Sequence, residues 1–308
     1  MAAKKILVSE VGLRDGLQSL ATIMPLEAKC AWIDAEFAAG VREIEVGSFV
    51  SPKLLPQMAD TAQVVEHALT LPGLTVAVLV PNLKGAQAAL LCGAHKLTIP
   101  VSASETHSLK NVRRTHVQML NEVEQIAALL REQPAARRPR FEAGMSTAFG
   151  CTYEGTVSPD RVLELAVALM QAGCDGVGLS DSVGFAVPSQ VKSLVLRVRG
   201  EIGHAAFAGL HLHNTRGLGL ANVVAGLDVD VDTFDSSLGG IGGCPYAPGA
   251  TGNIVTEDLV FMLEAMDLET GIDLERLLGV RNLVAKALPQ EQLYGYLPAV
   301  GVPLGFTS

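Results

Sequence analysis

Charge is scarce in this chain. Asp, Glu, Lys and Arg make up 18% of its 308 residues, against 49% hydrophobic residues, a balance that suits a compact protein with strands covered on both faces. Positive charge is the scarcer sign. With 23 Lys and Arg against 32 Asp and Glu, the net charge is −9 and the isoelectric point near 5.3, so nucleic acid has no broad electrostatic reason to bind. Arg137-Arg138 with Arg140, the one basic cluster, reads as a solvated link before a strand. The apolar runs fall short of the roughly 18 residues that a membrane span needs, and Gly, Asp or Lys break them. Residues 1–10 read as a strand, Lys4-Lys5-Ile6-Leu7-Val8-Ser9, and not as a signal peptide. Five scattered cysteines, an odd number, argue against a disulfide framework. The expectation is a reduced, soluble, cytoplasmic protein with neither a nucleic-acid nor a membrane partner.

Two further absences bear on the fold. No Gly-x-Gly-x-x-Gly turn follows the first strand, which speaks against a doubly wound dinucleotide-binding sheet. No Gly/Ser-rich linker or composition break marks a domain boundary. What is present is a strand-like burst followed by a helical stretch, repeated. Strands are predicted at 5–10, 42–48, 74–80, 96–101, 139–147, 175–180, 207–213 and 232–237. Helical stretches lie near 26–39, 59–70, 84–92, 111–133, 159–173, 187–201, 217–227 and 255–267. Eight such units predict an α/β fold, a closed parallel (β/α)₈ TIM barrel. The barrel is expected over residues 1–270, with a helical and irregular C-terminal extension over 271–308. The stretch Leu297-Pro298-Ala299-Val300-Gly301-Val302-Pro303 reads as too proline-rich to be regular.

A barrel places its chemistry at the C-terminal ends of its strands. The end of the seventh strand reads Leu210-His211-Leu212-His213-Asn214-Thr215. Alternation along a strand points His211 and His213 the same way, which offers two neutral nitrogens to one metal ion. The alternative is a pair of core or wet-edge histidines. The end of the first strand, adjacent in a closed barrel, offers Asp15 as a carboxylate, and Asn253 offers an amide oxygen beyond the glycine-rich loop Gly239-Gly240-Ile241-Gly242-Gly243-Cys244-Pro245-Tyr246. Both also read as caps of a turn or helix. A mixed N/O set without a thiolate suits Mg²⁺ or Mn²⁺ with positions open to substrate oxygens.

Arg14 is either half of a surface pair or a fixed cation for a developing enolate or carboxylate. Glu45 at the end of strand two needs a partner if buried, and Arg14 is available. Cys244 is either inert or an acid–base thiol on a loop whose glycines allow close approach and movement. Glu257 reads as a first-turn helix residue or as a group that orients a ligand. Ser48 at the end of the second strand, and Gln18 and Tyr153 in the stretches after the first and fifth, are expected to meet substrate.

These residues sit in long runs that resemble the 3-hydroxy-3-methylglutaryl-CoA lyase family, within the metal-dependent lyase and aldolase barrels. The runs are Val11-Gly12-Leu13-Arg14-Asp15-Gly16-Leu17-Gln18, Ile44 to Lys53, Pro56 to Asp60, Phe149 to Gly155, Asp181 to Gly184, His211-x-His213, and Gly242 to Asn253 continuing through Leu259. The resemblance implies a divalent cation, Mg²⁺ or Mn²⁺, held by Asp15, His211, His213 and Asn253. It also implies Arg14 as enolate stabiliser, Cys244 as acid–base group, His211 among the catalytic residues, and support from Glu45, Asp181 and Glu257. The implied substrate is an acyl-CoA, cleaved by retro-aldol or retro-Claisen chemistry to acetyl-CoA and acetoacetate. A homo-oligomer, dimer or tetramer, is implied as well.

The chain departs from the family pattern in places. Ser19-Leu20-Ala21 stands where the family carries Asn-Glu-Lys, Asn214 where it carries Asp, and Ser180-Asp181-Ser182 where it carries Gly-Asp-Thr. Gly178 stands where a serine is expected, and Arg216 is an added cation that either replaces the lost lysine or points to solvent. Three alternatives follow: a lyase for another 3-hydroxy acyl-CoA, a barrel that binds acyl-CoA or metal without turnover, or a biotin-dependent carboxyl transferase. The last needs a lysine inside the barrel to carry a carbamate, and no predicted strand ends in one.

Overall fold

A computed structural model of the chain describes residues 4–242 and 252–306. Its strands are β1 (Leu7–Glu10), β2 (Glu43–Ser48), β3 (Thr75–Leu79), β4 (Lys96–Ser102), β5 (Arg140–Ser146), β6 (Gly176–Asp181), β7 (Phe207–Leu212) and β8 (Thr233–Ser236). Each pairs in parallel with the next, and β8 pairs with β1, so the sheet closes into a barrel. All eight expected strands are present, each within two residues of its predicted bounds at either end.

The helices are α1 (Leu26–Ala39), α2 (Thr61–Ala68), α3 (Leu83–Cys92), α4 (Glu105–Asn111), α5 (His116–Arg131), α6 (Pro159–Ala172), α7 (Pro188–Ile202), α8 (Gly219–Leu227), α9 (Thr256–Ala265), α10 (Leu274–Ala287) and α11 (Leu297–Val300). Local signals set several ends. Thr115 and Gln118 form a reciprocal capping box at the start of α5. Gly40 ends α1 at φ 109°, in the left-handed region that a side chain resists. Among the described residues no helix is long and apolar enough to cross a membrane.

Alternation along the strands separates two layers. On β4, Lys96, Thr98 and Pro100 line the barrel interior, while Leu97, Ile99 and Val101 are fully buried in the layer shared with the helices. The interior is unusually small-residued on three consecutive strands, with Gly144 on β5, Gly178 on β6, and Ala208 and Gly209 on β7. Bulky layers usually fill such a barrel; here a cavity of about 700 Å³ enters it from the mouth.

Two elements differ from expectation. The stretch predicted as one helix over 111–133 is α5 alone, from His116, preceded by the separate short helix α4. Ser104 starts α4 by accepting the His107 N–H at 3.1 Å, a polar cap that no apolar period announces. The proline-rich tail also contains a helical turn, α11. Pro298 sits in its first turn, where a missing N–H costs nothing. This tail is tied to the barrel top: Tyr294 donates its N–H to Gly239 O at 2.7 Å, and the Asp258 carboxylate accepts from Tyr296 and Leu297 N–H groups.

Candidate metal centre and active site

The turn after β1, Gly12–Gly16, is wide, with Asp15 and Gly16 N–H groups both directed at Val11 O, at 2.7 and 3.3 Å. It places Arg14 and Asp15 side by side on the cavity wall. The Arg14 guanidinium bridges Asp15 and Glu45, with Nε on Glu45 and Nη1 on Asp15. The sequence left Arg14 open between a surface pair and a mouth cation; it is largely buried at the mouth. Burial disfavours its charge, but Glu45 and then Asp15 outweigh that and hold it firmly protonated. Burial pushes the Glu45 carboxyl up, against the opposing charge of Arg14. For Asp15 burial is outweighed by Arg14, then by the two histidines, and its carboxyl stays well below the usual carboxylate range.

His211 and His213 reach the same point from the end of β7. Their Nε2 atoms lie 3.0 Å apart, and each lies about 4 Å from Asp15 Oδ2, at 3.9 and 4.0 Å. Asp15, His211 and His213 form a group of ligand atoms all within 4.8 Å of one another. His211 Nδ1 faces Asp235 Oδ2 at 3.1 Å. That contact fixes the Nδ1–H tautomer and leaves the Nε2 lone pair aimed at the cluster. Burial, then His211, pushes His213 down to about 3, so it is a neutral imidazole. His211 is disfavoured by burial but raised by Asp235 and Asp15. Two buried imidazole nitrogens facing each other beside an ionised carboxylate call for a cation between them. The 3.0 Å spacing matches two adjacent ligands of a six-coordinate Mg²⁺-sized ion, about 3 Å apart for bonds of 2.0–2.1 Å. The donor set fits a divalent metal.

Asn253 joins this group, held by a backbone bridge to His213. Its Nδ2 donates to Asp15 Oδ2 at 2.8 Å and to Ile241 O at 3.2 Å, so here it braces Asp15 with its amide nitrogen. Gly242 makes the approach feasible. Its φ is +105°, and a Cβ there would lie 2.6 Å from Asn253 Nδ2. Gln18 donates to Asp15 Oδ1 at 2.8 Å and lines the cavity.

Other expected site residues lie elsewhere. Ser48 is buried, with an Oγ that finds no hydrogen-bond partner, and is absent from the cavity wall. Tyr153 sits on the outer rim, its ring beneath the Lys110 ammonium at 4.7 Å. The Asp181 carboxylate accepts the Phe185 and Ala186 N–H groups at 2.8 and 3.0 Å; burial raises it and these N–H groups oppose the rise. Glu257 is fully buried and accepts from Gly239 N–H and Arg281. It holds Gly239 and is not part of the cavity wall. Cys244 lies outside the described residues.

The HMGL-like family profile matches residues 5–284. The mitochondrial hydroxymethylglutaryl-CoA lyase of Macaca fascicularis is 40% identical over 285 residues, 92% of this chain and 86% of that one. The solved HMG-CoA lyase of Bacillus subtilis is 36% identical with a TM-score of 0.91, covering 97% of this chain and 99% of that one. An HMG-CoA lyase from Acinetobacter baumannii, solved with coenzyme A and 3-methylmalate, is 38% identical with a TM-score of 0.91, covering 99% and 97%. The chain belongs to the HMGL-like family.

Around the metal-fitting group the structure gives each residue that the sequence set apart from the family pattern a place of its own. Arg216 does not stand in for the missing lysine. Its guanidinium stacks on Phe185 at 4.5 Å and donates to Val183 O and Gly184 O, bracing the loop after β6. Asn214 accepts the Gly219 N–H at 3.0 Å, capping the approach to α8. Gly178 lines the cavity, and a Cβ there would meet nothing nearer than Gly209 O at 3.4 Å, so the serine expected there would fit. A lysine does lie inside the barrel, at the start of β4. Lys96 is gripped by Glu43 and Glu142, each at 2.9 Å. That grip keeps it charged, whereas carbamate formation needs a neutral amine. Two site residues escaped the sequence. Asp235 becomes visible only through the register of β7 with β8, although its place in the inward phase of β8 was a signal. His107, hydrogen-bonded to Ser102 Oγ through Nδ1 at 2.7 Å, lines the cavity from the unpredicted helix α4.

Proposed function

We propose that this chain is a divalent-cation-dependent carbon–carbon lyase that cleaves 3-hydroxy-3-methylglutaryl-CoA to acetyl-CoA and acetoacetate. The observation that carries this reading is the meeting of Asp15, His211 and His213 beside the buried Arg14 in one cavity at the barrel mouth. Asp15, His211 and His213 would hold the cation, and Asn253 would offer its amide oxygen as a further ligand. When bound, the cation supplies Lewis-acid stabilisation of negative charge on substrate oxygens.

The chain's own groups do the rest. The substrate's hydroxyl proton leaves to Asp235, a carboxylate that lines this part of the cavity and is not among the residues that would hold the cation. The O–H electron pair becomes the new carbonyl of acetoacetate, and the C2–C3 bond breaks toward the thioester. The resulting enolate is stabilised by Arg14, a permanent cation held in place by Glu45. Cys244, by the family resemblance, delivers the proton to C2 that completes acetyl-CoA.

The test is acetyl-CoA release from 3-hydroxy-3-methylglutaryl-CoA with added Mg²⁺ or Mn²⁺, comparing wild type with Cys244→Ser and His213→Ala. Turnover that requires metal and falls by at least about 100-fold in each variant is expected. Metal binding without any turnover in the wild type would refute the substrate.

A further inference from the structure

The charges lining the cavity are sorted by depth. Every acid on its wall, Asp15, Glu45, Glu142 and Asp235, lies in or directly over the barrel, and the cations Lys110, Arg113 and Arg114 sit together on the outer arm formed by the end of α4 and the turn before α5. In a chain of net charge −9, three cations within five residues on one cavity wall, with no acid beside them on that wall, is a local reversal of sign.

Their partners distinguish them. The other wall cations are spoken for: Arg14 by Glu45 and Asp15, Lys96 by Glu43 and Glu142, Arg114 by Glu122 at 2.9 Å. Among the described residues Lys110 and Arg113 form no ion pair. Lys110 is held over the Tyr153 ring at 4.7 Å, a contact that places its ammonium without neutralising it. Arg113 adopts φ +58°, a left-handed conformation that costs a non-glycine residue free energy and persists only where its surroundings impose it. The surroundings here are the Ser108 Oγ bond to Arg114 O at 2.7 Å and the Thr115 cap of α5. The turn therefore fixes two unneutralised cations at the outer end of a cavity whose inner end is the metal-fitting group.

We propose that Lys110 and Arg113 form the phosphate-binding end of this site, taking the pyrophosphate and ribose phosphate of a CoA thioester whose acyl end reaches Asp15, His211 and His213. The assignment rests on the acyl-CoA reading above. It gives the two cations a binding role for a part of the substrate remote from the reacting carbon, so they act through affinity and not through the chemical step.

The experiment is the double variant Lys110→Ala/Arg113→Ala with two substrates, 3-hydroxy-3-methylglutaryl-CoA and the corresponding pantetheine thioester, which lacks all the phosphates. Wild type is expected to prefer the CoA thioester in kcat/KM, and the double variant to lose about 100-fold of that preference through KM, roughly tenfold per charged contact. Raising ionic strength should weaken KM in wild type and have little further effect in the variant. An unchanged preference, or an equal loss on both thioesters, overturns the proposal. A separate binding measurement keeps it independent of turnover. Adenosine 3′,5′-bisphosphate titrated calorimetrically should bind wild type and not the double variant; equal binding to both overturns it. If the wild type cleaves neither thioester, the lyase reading fails, and the nucleotide titration still decides the phosphate site.

Discussion

His211 and Asp235 are register partners on neighbouring parallel strands, and their side chains meet inside the barrel with Nδ1 and Oδ2 3.1 Å apart. The pairing puts both residues at one level and both in the inward phase of their strands. It makes Asp235 the group that decides which nitrogen of His211 carries the proton, and so which one faces Asp15 and His213. Carboxylates in this relation raise the basicity of a ligating imidazole and fix its ring.

Asp235→Asn should therefore weaken Mn²⁺ binding by about 10- to 100-fold while leaving the barrel folded. Calorimetric titration with Mn²⁺, alongside far-ultraviolet circular dichroism, checks this. Unchanged affinity in a folded variant would mean that Asp235 does not orient His211.

Much of this arrangement is legible in the amino-acid sequence. The two histidines were readable because one strand carries both, and a period of two needs no tertiary information. Asp15 and the Arg14–Glu45 pair were readable because barrel closure makes the first and last strands neighbours and a buried Glu45 needed a cation. Asp235 was not, because its partner is set by interstrand register, which depends on how the whole barrel closes. Asp181 and Glu257 were placed in the right region, but their carboxylates are committed to backbone N–H groups of the loops they anchor, a matter of side-chain direction that spacing does not encode. Helix α4 escaped because a polar Ser104 cap starts it, and α11 because proline was counted as a breaker at a position where it starts a helix.

Arg216 offers a test of the same distinction. Its contacts with Val183 O, Gly184 O and Phe185 tie two loops together and hold its guanidinium off the cavity wall. Arg216→Ala is expected to speed amide hydrogen exchange over residues 183–186 and to change KM for the acyl-CoA by less than about threefold, since the freed carbonyls can bind water. A tenfold rise in KM without faster exchange would return Arg216 to the substrate.

The C-terminal segment should matter for stability through one guanidinium. Arg281 donates to Glu257 Oε1 at 2.9 Å, to Tyr294 O at 2.7 Å and to Leu293 O at 2.9 Å, and Glu257 has no exposed surface. Arg281→Ala strips a buried carboxylate of its counter-charge and frees the tail from the glycine-rich loop, at a cost of about 3–5 kcal/mol in urea unfolding. Adding Glu257→Gln to that variant should recover part of the loss by removing the stranded charge; no recovery would show that the tail contacts alone carry the effect.

The last prediction concerns pH, and its sign is the reverse of the usual one for carboxyl groups. Between the barrel and its outer helices lie three buried glutamates, Glu10 at the end of β1, Glu36 on α1 and Glu257 on α9. Glu10 accepts from Gly12 and Leu238 N–H groups and from Thr256 Oγ1, yet burial pushes it up to about 8, with Glu257 adding to the rise. Glu36, whose oxygens find no hydrogen-bond partner, is driven well above the ordinary value by burial and then by Glu10. Arg281 is the cation that reaches this group, through Glu257. From about pH 4.5, where an unfolded glutamate ionises, to about pH 8, where Glu10 does so in the folded state, the native protein holds protons that the unfolded chain has released. Stability contributed by the protonated form is full below that window and is lost as pH rises through it, at about 1.4 kcal/mol per pH unit for each such proton. Urea unfolding should accordingly give a lower midpoint at pH 8 than at pH 6. Glu36→Gln, which is neutral at both, should flatten the difference and be the more stable protein at pH 8. A wild-type midpoint that rises from pH 6 to pH 8 would mean that these carboxyls are ionised in the native state.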